Sequence, residues 1–402
     1  MKWVFPLTLG LLAPLLTRAA EAWDERVADS LAFATSDGSI QAQGSGFVSV
    51  TGYKGDQSIP GMVFSTRDPF FSPRLTLFVD GRAGSFTTGF LQARIDRGFD
   101  PTDGSAQVRL DEYAVRFGLG SSGRCNLQVG KFATVIGNWV PRHDEWQNPF
   151  VGAPLPYEYV TGIYDRAAAV SPKDLVIDGE EEDYEYNPLI WGPSYSTGMS
   201  FSGRNGRFDY AVEVKNGGPS SRPESWSWRH LGFAHPAYSA RVGFRPDMRF
   251  NLGFSASESV YLLPVAARTI PPGARLGDYR ERLFGQDFSF EWHQVQLWAE
   301  LFEAEFDLPQ LGRARSLAGY VEIRYKLTTE LSTALRINRQ VFSTIDDAGV
   351  ATPWGENLTR VDGAMLYRFS PAAQLKLQAS AKQTAEDHHP RLSYAAQLTL
   401  RF

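Results

Sequence analysis

The segment from 133 to 194 contains the side chains of this sequence that are best suited to chemistry. Its clustered titratable residues are His143, Asp144, Glu145, Glu158, Asp165 and Arg166. Adjacent imidazole and carboxylate groups can bind a metal ion or transfer protons. No third ligand follows the His-Asp-Glu triplet at a regular spacing, however, and the single cysteine, Cys125, excludes a cysteine-rich zinc site. The sequence therefore predicts no metal site, and the role of these residues depends on the elements that position them.

Two further patterns resemble enzyme motifs without meeting their structural requirements. Gly118 to Gly123 matches G-x-G-x-x-G, but it connects two predicted strands, so we interpret it as a turn. Residue types suitable for a hydrolase occur together at Ser225, Ser227, His230 and His235. No Gly-x-Ser-x-Gly motif accompanies them. We expect no catalytic residue and no cofactor.

The composition excludes several classes of protein. The chain has 402 residues, of which 43% are apolar and 13% aromatic, and this is too hydrophobic for a disordered protein. Its net charge of −5 does not provide the basic surface that nucleic acid requires, so we expect no nucleic-acid partner. The many glycine, phenylalanine and tyrosine residues favour strands and turns over helices.

Residues 1–22 have the features of a cleaved signal peptide. Lys2 supplies a positive charge, Leu7 to Leu16 form an apolar stretch, and Ala20 to Ala22 form a suitable cleavage site. The apolar stretch is too short for a spanning helix, although an N-terminal anchor is the alternative. We expect an exported chain in which 23–40 is a short periplasmic segment.

Apolar and polar residues alternate with a period of two along much of the remaining chain. The clearest stretches are 208–215, 317–326, 331–338, 361–369 and 391–402. Side chains two residues apart share a face of a strand, so each stretch has one apolar and one polar face. Several stretches exceed the ~5–6 residues usual in soluble sheets and match the ~9–11 residues of tilted membrane strands.

The connections between these predicted strands alternate between short turns and longer loops, the longest being 133–194. Aromatic residues on the apolar face gather beside the short turns, at Phe117, Phe201, Phe208, Phe244, Phe250, Trp292, Tyr325, Phe369 and Phe402. A soluble sandwich also alternates, but it has no reason to collect aromatic residues at one end. Short turns, long loops and an aromatic girdle are typical of outer-membrane barrels.

The sequence therefore predicts an all-β fold over 41–402, a closed antiparallel transmembrane β-barrel of about sixteen strands. Fourteen to eighteen strands are the open alternatives. A change of alternation phase between Phe90 and Leu91 indicates a bulge in this part of the sheet.

Charged residues on the polar face would line the interior of such a barrel. The candidates are Arg241, Arg249, Arg324, Arg336, Arg360, Arg368, Glu213, Asp287, Glu291, Glu300, Glu322 and Asp362. If the two signs occupy opposite walls, they create a transverse field that favours small polar solutes. The alternative is ordinary cross-strand ion pairing.

Leu110 to Gly120, followed by Leu127 to Phe132, resembles a recurring strand pair of Gram-negative outer-membrane porins, in particular the porin O/P group, which is of the phosphate-selective type. Gly285 to Phe290 with Leu297 to Leu301 is similar to later strand pairs of those proteins, and Phe402 matches their C-terminal aromatic residue. The resemblance implies a diffusion channel of sixteen to eighteen strands that is often trimeric. The lysine clusters of phosphate-selective members have no counterpart among the scattered lysines of this chain, so phosphate specificity is not implied.

These observations predict an outer-membrane porin for passive diffusion of small hydrophilic solutes or ions. Loop 133–194 either enters the lumen, where its candidate residues would form a constriction, or remains an external loop. The alternative functions are export or uptake of polysaccharides or oligosaccharides, and a hydrolase with its active site at the rim. Expected partners are outer-membrane lipid, lipopolysaccharide, the barrel-assembly machinery through Phe402, and further copies in a homotrimer.

Overall fold

The computed structural model describes residues 29–55, 69–96, 107–120, 124–177, 186–227, 229, 232–385 and 389–402. The predicted signal peptide, the first residues of the 23–40 segment, the centre of the 118–123 turn and His230 lie outside the described residues. Within the described ranges, no helix combines the length and apolar character needed to cross a membrane.

Sixteen antiparallel strands form one closed sheet, as the alternation of the sequence predicted. They are β2 (Ile40–Gly55), β3 (Phe70–Ala83), β4 (Thr87–Asp96), β5 (Gln107–Leu119), β6 (Cys125–Lys131), β9 (Thr197–Asn205), β10 (Phe208–Lys215), β11 (Ala237–Phe244), β12 (Phe250–Val260), β13 (Arg280–Trp292), β14 (Val295–Leu308), β15 (Gly312–Lys326), β16 (Leu331–Phe342), β19 (Leu358–Ser370), β20 (Ala373–Thr384) and β21 (Arg391–Arg401).

Five shorter strands and one helical turn complete the described regular structure. They are β1 (Ala32–Ala34), β7 (Val160–Ile163), β8 (Asn187–Pro188), β17 (Thr344–Asp347), β18 (Val350–Pro353) and the helical turn Leu155–Glu158. β1 pairs with the start of β2, β7 pairs with β8, and β17 with β18 forms a hairpin.

The barrel closes because β2 has two neighbours within the ring. Val50 of β2 is opposite Pro73 of β3 on one side and opposite Leu398 of β21 on the other. At the seam, the backbone N–H of Gly46 donates to the carbonyl of Phe402 and the N–H of Phe402 donates to the carbonyl of Gly46. The ring therefore has no exposed edge, and an exposed edge would be intolerable in lipid because its backbone groups would lack partners.

Each strand presents apolar side chains outward and polar side chains inward. On β16, Leu335 and Ile337 are 46% and 50% exposed, whereas Arg336 and Asn338 between them are fully buried. This distribution is the reverse of a soluble protein, in which the charged residue faces solvent. The alternation therefore separates an apolar outer surface from a polar interior.

The two ends of the barrel differ as predicted. Short turns connect one set of strand ends, and the long connections, including 132–196, 216–236 and 261–279, lie at the other end. Residues 309–311 form the one short connection at the long-loop end among the described residues. Aromatic side chains gather at the short-turn end, where the rings of Phe208 and Phe244 lie 5.0 Å apart.

The predicted bulge is present, but the extra residue belongs to β5 rather than β4. Gln92 is opposite Glu112 and Ala93 is opposite Leu110, so Asp111 has no partner across the pair. β4 itself keeps a regular alternation, because Gln92, Arg94 and Asp96 are all buried on the inner side. The apparent phase change arises because Phe90 is apolar although it faces the interior, where its ring lies 5.9 Å from the guanidinium of Arg116.

Candidate functional site

The first half of the long segment packs against the inner wall of the barrel. Ile136, Trp139, Leu155, Tyr157 and Ile163 of this segment are at most 2% exposed. Several of them join one apolar cluster with inward-facing residues of β14 and β15, namely Phe302, Ala304, Phe306, Ala314, Ala318 and Tyr320. The segment is therefore held by a core of its own rather than by isolated contacts.

Sequence reasoning missed these inward-facing aromatic residues of β14. On that strand the inward positions Phe302 and Phe306 are apolar. The outward positions change from Leu301 to Glu303 and Glu305. An inward face that becomes apolar near the long-loop end is the available signal that a folded segment covers it.

Glu300 of β14 holds the beginning of the segment. Its carboxylate accepts hydrogen bonds from the backbone N–H groups of Asn138 and Trp139, the latter at 3.0 Å, and from the hydroxyl of Tyr157 at 2.8 Å. Gly137 precedes these donors with φ of +75°, a conformation that favours glycine. Charged acceptors make stronger hydrogen bonds than neutral ones, so Glu300 is a main anchor of the segment.

Ion pairs extend this attachment along the wall. Arg142 of the segment binds Glu322 of β15 at 2.6 Å, and Arg336 of β16 lies 3.6 Å from the same carboxylate and 2.9 Å from Asp362. Glu322 faces Arg336 directly across the strand pair, as Arg336 faces Asp362. All four side chains are buried. Each charge is therefore neutralised by a partner, as a buried charge requires.

Glu158 is a predicted loop residue that contacts this network. Its carboxylate pairs with Arg360 of β19 and accepts the backbone N–H of Ala153 at 2.9 Å. Arg360 also binds Asp362 at 3.1 Å, and Arg336 donates to the carbonyl oxygens of Gly152 and Ala153. The helical turn and the chain before it are thus fixed to β16 and β19.

The three residues of the His-Asp-Glu triplet make separate contacts. His143 hydrogen-bonds through its ring nitrogens to the carbonyl of Val140 and to the hydroxyl of Tyr195. Asp144 accepts the backbone N–H groups of Trp146 and Gln147, each at 2.7 Å, and so closes a local turn. These contacts are structural.

Glu145 points instead at the opposite wall, where Arg74 of β3 lies at 2.8 Å. Burial alone would raise the pKa of Glu145, but the guanidinium of Arg74 reverses the effect and holds that pKa below its ordinary value. The segment therefore crosses the interior from β14 to β3.

Asp165 and Arg166 lie elsewhere. Asp165 is buried and binds Arg222 at 2.5 Å, and Arg166 pairs with exposed Glu224. Both partners belong to the connection 216–236 at the long-loop end. The structure thus groups four of the six predicted loop residues near the inner wall and uses the other two to join two connections.

A cavity of about 270 Å³ remains between the segment and the wall formed by β2 to β5, β20 and β21. Its charged lining consists of Arg74, Arg94, Glu112, His143, Asp144, Glu145, Glu158 and Lys376. Basic residues of β3, β4 and β20 thus face carboxylates of the segment across this space. A solute passing along this side of the segment would meet both signs of charge.

The remaining predicted interior charges lie either on the inner wall of the barrel or at its short-turn rim. Arg241 binds Asp287 at 2.7 Å, and Glu213 lies 3.6 Å from Lys215. Arg324 and Arg368 have no carboxylate partner within 4 Å among the described residues. Arg249 and Glu291 lie at the short-turn rim, where their partners are Asp247 and Gln296.

The metal-ligating residue types and the buried serine of the 216–236 connection have the following contacts within the described ranges. No three His, Cys, Asp or Glu side chains come together as a ligand set within the described ranges. The hydroxyl of Ser225 is buried and donates to the carbonyl of Arg222 at 2.7 Å, so it is occupied structurally.

Comparisons with known proteins place the fold. No family model matches the chain, and no curated protein matches it. Among solved structures, an anion-selective porin from Comamonas acidovorans is 9% identical over 90% of this chain and 100% of its own, with a TM-score of 0.57. The outer-membrane channel DcaP of Acinetobacter baumannii is 9% identical over 92% and 99%, with a TM-score of 0.55. A trimer form of OmpT, an outer-membrane protein of Vibrio cholerae, is 10% identical over 90% and 100%, with a TM-score of 0.53.

The chain therefore has the fold of a class of outer-membrane channel proteins that includes porins. Identities near one residue in ten show the shared architecture and leave the narrower resemblance to the porin O/P group a prediction.

Proposed function

We propose that this chain is a porin of the Gram-negative outer membrane, through which small hydrophilic solutes or ions diffuse passively. The observation that carries the proposal is the segment 133–163, which is fixed across the interior of a sixteen-stranded barrel by Glu300, Glu322 and Arg360 and leaves a charged space beside it. Barrels of this size enclose an aqueous channel rather than a side-chain core. A segment held across that channel narrows it.

The compartment and the assembly belong to the same proposal. Residues 1–22 serve as a cleaved signal peptide, the short-turn end faces the periplasm, and the outward apolar side chains contact lipid and lipopolysaccharide. Phe402 is the residue that the barrel-assembly machinery recognises. The similar barrels include a trimer form, which supports a homotrimer here.

Within this function, His143, Asp144, Glu145 and Glu158 line the constriction. Glu145 and Glu158 face Arg74, Arg94 and Lys376 across the cavity. Asp165 and Arg166 connect long loops at the outer mouth instead of contacting the solute.

The test is single-channel recording of the purified full-length barrel in planar bilayers. We expect stepwise conductance from the native chain and a larger conductance after deletion of 144–164. Deletion of 346–351, the exposed tip of the β17–β18 hairpin, is the matched control and should leave conductance unchanged. An absence of conductance steps from the native chain contradicts the channel function, and equal conductance in the two deletions contradicts the constriction.

The same preparation separates the alternative solutes. Liposome swelling with a graded panel of sugars measures the largest molecule that enters, and a segment fixed across the interior of the barrel should exclude long oligosaccharides. Rapid entry of such chains would favour the polysaccharide channel.

A further inference from the structure

Four basic side chains share one region of the inner wall near the short-turn end. They are Arg324 of β15, Arg368 of β19, Lys376 of β20 and Arg401 of β21, here called the basic cluster. Strand pairing places three of them on adjacent strands, because Lys376 is opposite Leu366 on one side and Gln397 on the other. Arg368 lies two residues from Leu366 and Arg401 four residues from Gln397 on those strands. Arg324 is opposite Ala334 of β16, which is opposite Ala364 of β19, so it lies two strands from Arg368.

The basic cluster differs from the other buried bases of the interior in having no acidic partner. Arg142, Arg336 and Arg360 each lie within 4 Å of a carboxylate. Among the described residues, none lies that close to a member of the basic cluster. Lys376 is 1% exposed and its Nζ makes no hydrogen bond within the described structure. The Nε atoms of Arg324 and Arg368 are also without hydrogen-bond partners there.

The carboxylates facing the basic cluster are already engaged. Glu145 binds Arg74, and Oδ1 of Asp144 accepts two backbone N–H groups of its own turn. Glu322 binds Arg142 and Arg336, and Glu291 at the rim accepts from Gln296. None of these carboxylates forms an ion pair within 4 Å with a member of the basic cluster.

Trp146 of the long segment covers the cluster from the interior. The guanidinium groups of Arg368 and Arg401 lie 5.4 Å and 4.6 Å from the centre of its ring. Gln374 donates to the carbonyl of Glu145 at 2.7 Å and fixes the segment at this point. Lys376 also lines the cavity beside the segment, so this member of the cluster borders the space through which a solute would pass.

We propose that the basic cluster binds the oxyanion of a passing solute, a carboxylate or phosphate group, and makes the channel favour anions. The inference rests on the proposed channel function. An uncompensated ammonium group that is fully buried is costly, and a bound anion with several acceptor oxygens removes that cost. Because the cluster combines guanidinium groups with an ammonium group, the site recognises charge and oxygen atoms rather than a particular carbon skeleton.

The test compares native protein with Lys376→Met, and uses Arg339→Gln as the control. Arg339 is on the exposed outer face of β16 and contacts Thr359, so its replacement changes the total charge equally but leaves the interior intact. Reversal potentials in a KCl gradient report the ratio of chloride to potassium permeability. Titration with inorganic phosphate or acetate reports block of the chloride current, and separates a general oxyanion site from one restricted to phosphate.

We expect saturable block by both anions in the native and Arg339→Gln channels. In Lys376→Met the half-blocking concentration should rise about tenfold, the effect of losing one charged hydrogen bond, and chloride preference should fall. Equal block and equal reversal potentials in Lys376→Met and the control overturn the proposed oxyanion site but leave the proposed channel function intact.

Phosphate protection provides a readout that does not need conductance. Phosphate should raise the temperature at which the folded band is lost in gel-migration assays for the native and Arg339→Gln proteins, and should raise it less for Lys376→Met. If the folded protein never conducts but still shows this difference, the channel function is contradicted and the oxyanion site is supported. An equal shift in all three proteins contradicts the site.

Discussion

Replacement of Gly137 by alanine should release the long segment from the inner wall without unfolding the barrel. A β-carbon at this position would overlap the carboxylate of Glu300 and the hydroxyl of Tyr157. Those two groups form the anchor of the segment together with the N–H groups of Asn138 and Trp139. The substitution therefore disturbs the segment at the one point where backbone conformation and a buried charge coincide.

The magnitude follows from two separate costs. The left-handed conformation of Gly137 (φ +75°) costs an alanine about 1–2 kcal/mol. Displacement of Glu300 weakens hydrogen bonds to a charged acceptor, which contribute about 1.5–3 kcal/mol each, so losing one or two adds roughly 2–5 kcal/mol. A total near 4 kcal/mol shifts the equilibrium between the attached and released segment by on the order of 10³.

The assay is single-channel recording, with Gly206→Ala as the matched control. Gly206 also has a positive φ (+60°), but a β-carbon there meets nothing within 4 Å, so only the conformational cost applies. We expect Gly137→Ala to show a higher and noisier conductance, while its folded band survives heating as well as that of the control. If the two variants conduct identically, the anchoring role assigned to Glu300 and Gly137 is refuted.

Three further predictions address the wall, the seam and pH. Arg336→Met leaves buried Glu322 and Asp362 with one cationic partner each, Arg142 and Arg360, and should lower the stability of the barrel by about 1.5–3 kcal/mol, the effect of losing a hydrogen bond to a charged group. Arg339→Met on the outer face should change the stability little, and equal shifts would contradict the pairing. Gly46→Val should reduce the yield of folded protein in membranes, because a β-carbon would lie 2.6 Å from Cζ of Phe402, and Gly363→Val, which has open space, serves as its control. Because Arg74 holds the pKa of Glu145 below its ordinary value, that anchor is complete above the ordinary glutamate pKa and is lost only as pH falls through the lowered one. The difference in conductance between the native chain and Glu145→Gln should therefore stay constant from neutral pH down to about pH 4, and an earlier loss of that difference would oppose this reasoning.

The strands were predictable because their periodicity is local. Side chains two residues apart must share a face, so the sequence of β16 or β21 by itself separates Leu335 from Arg336 and Leu398 from Thr399. The closed ring follows once lipid requires every edge to be paired. The same rule placed the predicted interior charges on the inner parity, and two of them, Arg249 and Glu291, lie at the short-turn rim.

The contacts of the long segment were not predictable by such rules. Its path depends on groups more than 150 residues away, as in the bond from Trp139 to Glu300, and no periodicity records them. Asp165 and Arg166 are adjacent charged residues of the same segment, as Asp144 and Glu145 are, yet they bind Arg222 and Glu224 of a different connection. Residue type identified a charged segment. Only the tertiary structure distinguished the residues that attach this segment to the wall from the residues that line the cavity.

The division of the interior charges into paired and unpaired groups has a consequence for selectivity. Arg336 and Arg360 are neutralised by Asp362 and its neighbours, so they stabilise the wall and contribute little net field to the channel. Arg368 and Lys376 have no such partner within 4 Å among the described residues, so their field extends into the water-filled space. Counting arginines and carboxylates by parity treats these groups as equal and predicts no ion preference. Stability and permeation should therefore separate by position. Replacing Arg336 should change the unfolding temperature more than the reversal potential, and replacing Arg368 should do the opposite.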